Sequence, residues 1–145
     1  MTDTILAPGD IRLAARAASR DDAIREAGAI LVESGAVRPD YVDSMLEREG
    51  SVSTFMGNFL AIPHGTNESK DAIQRSALSF IRYDEPVDWA GEPVRFVVGI
   101  AGIGNEHLDI LAKIATIFSD EDEVGKLLEA GDAAQLAALL AEVNE

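Results

Sequence analysis

Apolar positions along this chain recur at two spacings, and the alternation between them predicts strands interleaved with helices. Ala23, Ile24, Ala27, Ile30 and Leu31 repeat at helical spacing behind the capping pair Ser19 and Asp22, and Gly35 stops the run. Tyr41, Val42, Met45 and Leu46 continue a second amphipathic face. Pro39 suits its first helical position, Arg48 lies in its last turn, and the helix is expected to end before Gly50. Upstream, the apolar pieces 5–6 and 11–13 flank the turn-prone Ala7-Pro8-Gly9-Asp10, so one short strand is expected there.

The run 59–62 reads as a strand closed by Pro63, which delivers His64-Gly65-Thr66 into a loop. Two more strands are expected at 77–83 and 94–101. The second contains FVVGIA, apolar on both alternating faces, as a central strand covered on both sides requires. Asp84-Glu85-Pro86 and Ala90-Gly91-Glu92-Pro93 supply turns. Asn105 is expected to cap a helix whose Leu108, Leu111, Ile114, Ala115 and Phe118 share one face, with His107 in its first turn. Helices at 121–129 and 133–143 follow, broken at Gly131-Asp132. The pattern implies an α/β sandwich and leaves the sheet order open. At 145 residues the chain is expected to form one domain, 1–145.

Charge narrows the partners. The formal net charge of −14 repels nucleic acid and anionic lipid, so a small anionic ligand would need a local cationic pocket. With no cysteine there is no disulfide, thiol nucleophile or thiolate metal site. There is neither a basic leader followed by an apolar run nor a stretch near the roughly 20 apolar residues of a membrane span, so the protein reads as cytoplasmic, without membrane insertion. The two histidines and many carboxylates show no HExxH-like spacing, so no metal and no cofactor are expected. A GxSxG elbow is absent, and 99–104 lacks both GxGxxG spacing and a Walker lysine, so it reads as a turn. Trp89 and Tyr83 read as packing or surface residues near a turn.

Both histidines, His64 and His107, fall where an element begins or ends, which suits a site built from strand ends and helix starts. Position alone leaves each open to a structural or merely solvated reading. A neutral imidazole, with an ordinary pKa of about 6.5, is a competent nucleophile near neutrality and suits phosphoryl transfer. The transferred group carries nearly two negative charges and needs cations and N–H donors around it. Gly65 lets backbone approach, and Arg48 and His107 can supply charge. Taken alone, Arg48 reads rather as a helix-ending cation that favours the macrodipole or pairs with Glu47 or Glu49.

Met45-Leu46-Glu47-Arg48-Glu49, Gly57-Asn58-Phe59-Leu60-Ala61-Ile62-Pro63-His64-Gly65-Thr66 and Asn105-Glu106-His107 occur in this order. In content and spacing they resemble the mannitol and fructose IIA family of the bacterial sugar phosphotransferase system, over roughly 11–143. The resemblance implies a phosphotransferase component that accepts a phosphoryl group from the histidine-containing phosphocarrier protein and passes it to a cysteine of a IIB component, in uptake of mannitol or a related sugar. It implies that His64 carries the group on its tele nitrogen, supported by Arg48 and His107. It also implies a mixed β-sheet sandwiched between helices. Gly102-Ile103-Gly104 departs from the family pattern and leaves the rigidity of that loop open. The competing reading is a regulatory, nitrogen-type IIA protein acting through phosphorylation-dependent protein binding; the GTNESKD wording after His64 favours the mannitol type. Sugar identity and oligomeric state are not specified by this sequence.

Overall fold

A computed structural model describes residues 5–15, 17 and 19–144; the ends of the expected 1–145 unit, 1–4 and 145, lie outside them. Among the described residues the strands are β1 (Ile11–Ala15), β2 (Phe55–Gly57), β3 (Leu60–Ala61), β4 (Ala77–Trp89) and β5 (Glu92–Ala101). They form one mixed sheet in the order β1-β4-β5-β3-β2. The β1–β4 and β3–β5 pairs are parallel, and β4–β5 and β2–β3 are antiparallel.

The strand carrying FVVGIA is therefore the middle one, and its two faces bury into two separate cores. Phe96, Val98 and Ile100 pack with Ile110, Ile114, Ile117 and Phe118 of α3 (Glu106–Phe118), Leu127 of α4 (Glu121–Glu129) and Leu136 of α5 (Ala133–Leu139). Val94, Val97 and Ala101 pack with Ala23, Ile24, Ala27 and Leu31 of α1 (Arg20–Glu33) and with Tyr41 and Met45 of α2 (Asp40–Ser51). A strand buried on both faces needs apolar residues at successive positions, the pattern this segment has. The result is the expected α/β sandwich.

Several boundaries differ from the sequence reading, each for a local reason. Ser19 does cap α1, accepting from the Asp22 N–H at 3.2 Å, whereas Asn105 makes no side-chain cap bond to α3. Pro39 is the residue before α2 rather than its first, and the helix runs through Gly50 to Ser51 because the Val52 N–H still reaches the Arg48 carbonyl. The α5 helix stops at Leu139 and a 3₁₀ turn (Ala141–Asn144) follows, so 133–143 is not one helix. Asp84-Glu85-Pro86 makes no turn: it lies within β4, beyond the last β1 pair at Tyr83, and the register shift between Arg82 and Val87 absorbs it. There Pro86, lacking an N–H, removes no ladder bond to β1. The β4–β5 turn is Ala90-Gly91, both at positive φ as two-residue hairpins require.

Phe59 is likewise outside the strand expected at 59–62. It sits with Asn58 in the β2–β3 turn, at φ 68° and 48° respectively. That conformation is costly for a bulky residue and persists where the surroundings over-determine it. Here the Phe59 carbonyl accepts from the Arg95 and Phe96 N–H groups, both at 2.9 Å, and Asn58 Nδ2 donates to the Phe118 carbonyl at 2.7 Å.

The outer helical layer is tied to the sheet by Arg82, whose Nη1 donates to the carbonyls of Leu127, Leu128 and Ala130 at 2.9, 3.2 and 2.6 Å. A cation at a helix C-terminus satisfies carbonyls that lack intrahelical partners and opposes the dipole. Arg82→Met should therefore lower the urea-unfolding free energy by about 2 kcal/mol while leaving far-ultraviolet dichroism near that of the parent; an unchanged unfolding midpoint contradicts the anchoring role.

Candidate functional site

His64 is placed by strand register. Leu60 pairs with Phe96 and Ala61 with Val97, and beyond β3 an isolated parallel bridge joins His64 to Ile100 at the same offset of 36 residues. The Ile100 N–H donates to the Pro63 carbonyl at 3.0 Å, so Pro63 ends the regular strand without releasing the chain from β5. His64 thus stands beside the C-terminal end of the central strand. From that same end, residues 102–105 lead into α3 and bring His107 across from it, with ring centroids 5.2 Å apart and planes inclined at 58°.

Gly102 permits this approach. A Cβ there would come within 2.5 Å of the His107 Cα and 2.9 Å of its N, contacts that backbone cannot relieve cheaply. The loop whose rigidity the sequence left open is held: Ser76 Oγ accepts from the Ile103 N–H at 2.9 Å and donates to Glu106 at 3.1 Å. Gly65 plays the matching part after His64. A Cβ on it would clash with Ser44 Oγ, Tyr41 Cε1 and Ser69 Oγ. In its absence the Tyr41 hydroxyl accepts from the Gly65 N–H at 2.9 Å and donates to the Ile100 carbonyl at 2.8 Å. Ser44 Oγ accepts from the Thr66 N–H at 3.0 Å and is bonded to Ser69 Oγ at 2.6 Å. Buried Tyr41 and Ser44 thus fasten α2 to the histidine loop, a role the sequence reading missed because both residues share the apolar spacing of that helix.

The His64 tautomer follows from its partner. Nδ1 lies 2.9 Å from the Ile62 carbonyl, which can only accept, so Nδ1 carries the hydrogen and the lone pair is on Nε2. Among the described residues Nε2 has no hydrogen-bond partner. Burial pushes the His64 pKa below its ordinary value; the Ile62 bond and Glu49 oppose this, while the Arg48 charge lowers it further. His107 is also lowered, chiefly by burial and then by the charges of His64 and Lys70. Both rings are therefore neutral near pH 7.

His64, His107 and Arg48, the three residues singled out in the sequence, line one cavity of about 610 Å³. Its other described lining residues include Lys70, Gly65, Thr66 and the first turn of α3, and none of those described is a carboxylate. In a chain with net charge −14 this is a local inversion of sign. Arg48 Nη1 donates to the Val52 carbonyl at 2.8 Å, and among the described residues Arg48 makes no ion pair with Glu47 or Glu49. Lys70 lies in the last turn of the 3₁₀ segment Asn67–Ala72, which the sequence reading did not assign. With free N–H groups at the α3 start adding partial positive charge, the cavity can bind a doubly charged anion beside a free imidazole nitrogen. The described residues hold no cluster of three or more His, Asp and Glu side chains fit for a metal.

The depressed histidine pKa values make stability depend on pH. An unfolded chain takes up protons at the ordinary 6.5, above the native values, so the stabilisation is complete above 6.5 and is lost as pH falls through the folded values. Urea-unfolding free energy should therefore fall between pH 7.5 and pH 5.5, and fall less in the double variant His64→Gln/His107→Gln. Parallel pH profiles for the two proteins would show that neither imidazole is the source.

Comparison with known proteins agrees with this arrangement. Residues 4–143 match the family described as phosphoenolpyruvate-dependent sugar phosphotransferase system, EIIA 2. The chain is 52% identical over 145 residues, all of both chains, to the mannitol-specific phosphotransferase enzyme IIA component of Halalkalibacterium halodurans. Its fold superposes on the Escherichia coli mannitol IIA enzyme in complex with phosphorylated mannitol IIB with a TM-score of 0.87, at 35% identity, covering 94% of this chain and 96% of the other. For the crystal structure of E. coli mannitol IIA the TM-score is 0.85, at 36% identity, covering 92% and 97%. An α/β sandwich of this topology, carrying these motifs over almost its full length, belongs to the EIIA 2 family of the sugar phosphotransferase system and is a phosphotransferase component of it.

Proposed function

We propose that this protein is a cytoplasmic phosphoryl carrier for uptake of mannitol or a related sugar, with His64 as the residue that holds the group. The observation that supports this most directly is the His64 ring itself. Nδ1–H is committed to the Ile62 carbonyl, and among the described residues Nε2 is unpartnered, in a cavity whose described lining gathers Arg48 and Lys70 without a carboxylate. The donor is the histidine-containing phosphocarrier protein and the acceptor a cysteine of a IIB component. The acceptor is supported by the E. coli relative, whose complex is with phosphorylated IIB.

The chemistry follows from the tautomer. The Nε2 lone pair attacks phosphorus in line, the new N–P bond forms, and the P–N bond to the donor imidazole breaks, its electron pair returning to that ring. Because Ile62 holds the Nδ1 proton, the phosphorylated ring stays close to the imidazolium form, in which its N–P bond is a good leaving bond. A IIB thiolate then attacks phosphorus, the S–P bond forms, and neutral His64 is restored. Arg48, Lys70 and the α3 N-terminus offset the charge on the three equatorial oxygens. His107 is neutral before phosphorylation and is available as a hydrogen-bond donor to the transferring group. The added negative charge beside it then favours its protonation.

Incubation with phosphoenolpyruvate, enzyme I and the phosphocarrier protein should add one phosphoryl group to the intact mass, and none to His64→Ala. A His64→Ala protein that still gains the group defeats the assignment. Arg48→Ala should melt within a few degrees of the parent and transfer about tenfold or more slowly, the scale of one charge-assisted contact; equal rates rule that contact out. Nuclear magnetic resonance should show the His107 titration midpoint rising once His64 is phosphorylated, and a midpoint that stays or falls removes His107 from the site.

A further inference from the structure

Glu49 follows Arg48 on α2, yet Arg48 lines the cavity while Glu49 is 3% exposed. A buried carboxylate is tolerated when its lone pairs are filled. No cation lies within ion-pair distance of Glu49 among the described residues, and three neutral donors do the filling. Thr54 N donates to Oε2 at 2.7 Å, Thr54 Oγ1 to Oε1 at 2.5 Å, and Trp89 Nε1, from the end of β4, to Oε2 at 3.0 Å.

From this carboxylate two short hydrogen-bonded paths lead to the site. The first runs through the 52–54 segment, whose Val52 carbonyl receives Arg48 Nη1 at 2.8 Å. Along the second, the Thr54 carbonyl accepts from the Ile62 N–H at 3.1 Å, and the Ile62 carbonyl accepts from His64 Nδ1 at 2.9 Å. Both acceptors that orient site side chains, Val52 O and Ile62 O, are therefore referenced to one buried side chain. Arg48 approaches from a helix and His64 from the sheet, elements that exchange no ladder bonds. Val52 is 63% exposed, so burial of its own side chain does not hold that carbonyl in place.

We propose that Glu49 is a positioning residue for phosphoryl transfer: its carboxylate fixes the 52–54 segment and thereby sets where the Arg48 guanidinium and the His64 ring stand relative to one another. The inference rests on the reading of His64 as the phosphoryl carrier and adds the residue that aligns it. Trp89, read from sequence as a packing or surface residue, is the donor that ties the same carboxylate to β4. A misplacement of about 1 Å in such a pair lowers the rate of transfer without touching partner binding.

The test follows phosphoryl transfer from the phosphocarrier protein to the full-length parent, T54V, E49A and E49Q, with the ¹⁵N shifts of the His64 ring recorded alongside. In E49A kcat should fall about tenfold, and in T54V about threefold, at unchanged KM for the phosphorylated donor. In both, the share of His64 protonated at Nδ1 should drop. E49Q should return to within about threefold of the parent, because its amide oxygen can accept from Thr54 N and Trp89 Nε1 while its NH₂ donates to Thr54 Oγ1. Should E49A fail to fold, T54V, which retains the backbone N–H, carries the comparison. Variants T54V and E49A that transfer like the parent with the His64 tautomer unchanged overturn the inference. So does an E49Q protein as slow as E49A, since charge and not geometry would then matter. A parent that takes up no phosphoryl group on His64, judged by intact mass against H64A, defeats the carrier reading instead.

Discussion

The parallel register between β3 and β5 is the constraint on which the rest of this protein depends. It is short, two regular pairs, yet its offset persists through Pro63 to the bridge between His64 and Ile100. A proline would be expected to free the chain, since it cannot donate to a ladder. Here its carbonyl accepts from Ile100 instead, and the strand continues in register after its regular hydrogen bonds stop. His64 is consequently part of the sheet in position and part of a loop in exposure. That combination would give the proposed carrier residue the rigidity of the core while its Nε2 faces the cavity.

Around that fixed point, charge is arranged against the trend of the whole molecule. A chain with net charge −14 would ordinarily present carboxylates to its clefts, and two from the helices that line this one are engaged elsewhere. Glu106 bonds Ser76, and Glu49 is turned inward. The described residues of the cavity wall are basic or neutral. Burial lowers the pKa of both imidazoles and so favours their uncharged forms, the state that the proposed roles of nucleophile and hydrogen-bond donor require.

Elements whose signals are local were legible in the sequence: the Ser19 cap, the apolar run of β5 and the amphipathic face of α1. The α3 face was legible only in part: Ile114 and Phe118 are buried as expected, but Leu108 is exposed and Ile110 and Ile117 take its place in the core. Misread elements had signals that only tertiary context decides. Asp84-Glu85-Pro86 has turn composition, but a strand that outruns its β1 neighbour can accommodate it. Phe59 looks like a strand residue and is held in a turn by Phe96, Arg95 and the hairpin. The same divide runs through the site. His64, Arg48 and His107 stand in short motifs, whereas Tyr41, Ser44 and Glu49 act through contacts spanning 24 and 59, 22 and 25, and 5 and 40 residues respectively. Spacing along a helix cannot distinguish a residue that fills a core from one that braces a loop. Lys70 was hidden for a different reason: nothing in NESKDA announces the 3₁₀ turn that presents it.

The cavity also lies on a seam. Arg48 belongs to α2, packed on one face of the sheet; His107 belongs to α3, packed on the other; His64 sits between them. Among the described residues the two cores are separate clusters on opposite faces of the sheet, an arrangement that allows each to loosen locally. A phosphoryl group held by residues from both layers would act as a cross-brace, and its departure would remove one. The charged and uncharged forms of the carrier would then differ in how freely the two halves breathe, giving a partner protein a mechanical difference to sense in addition to an electrostatic one.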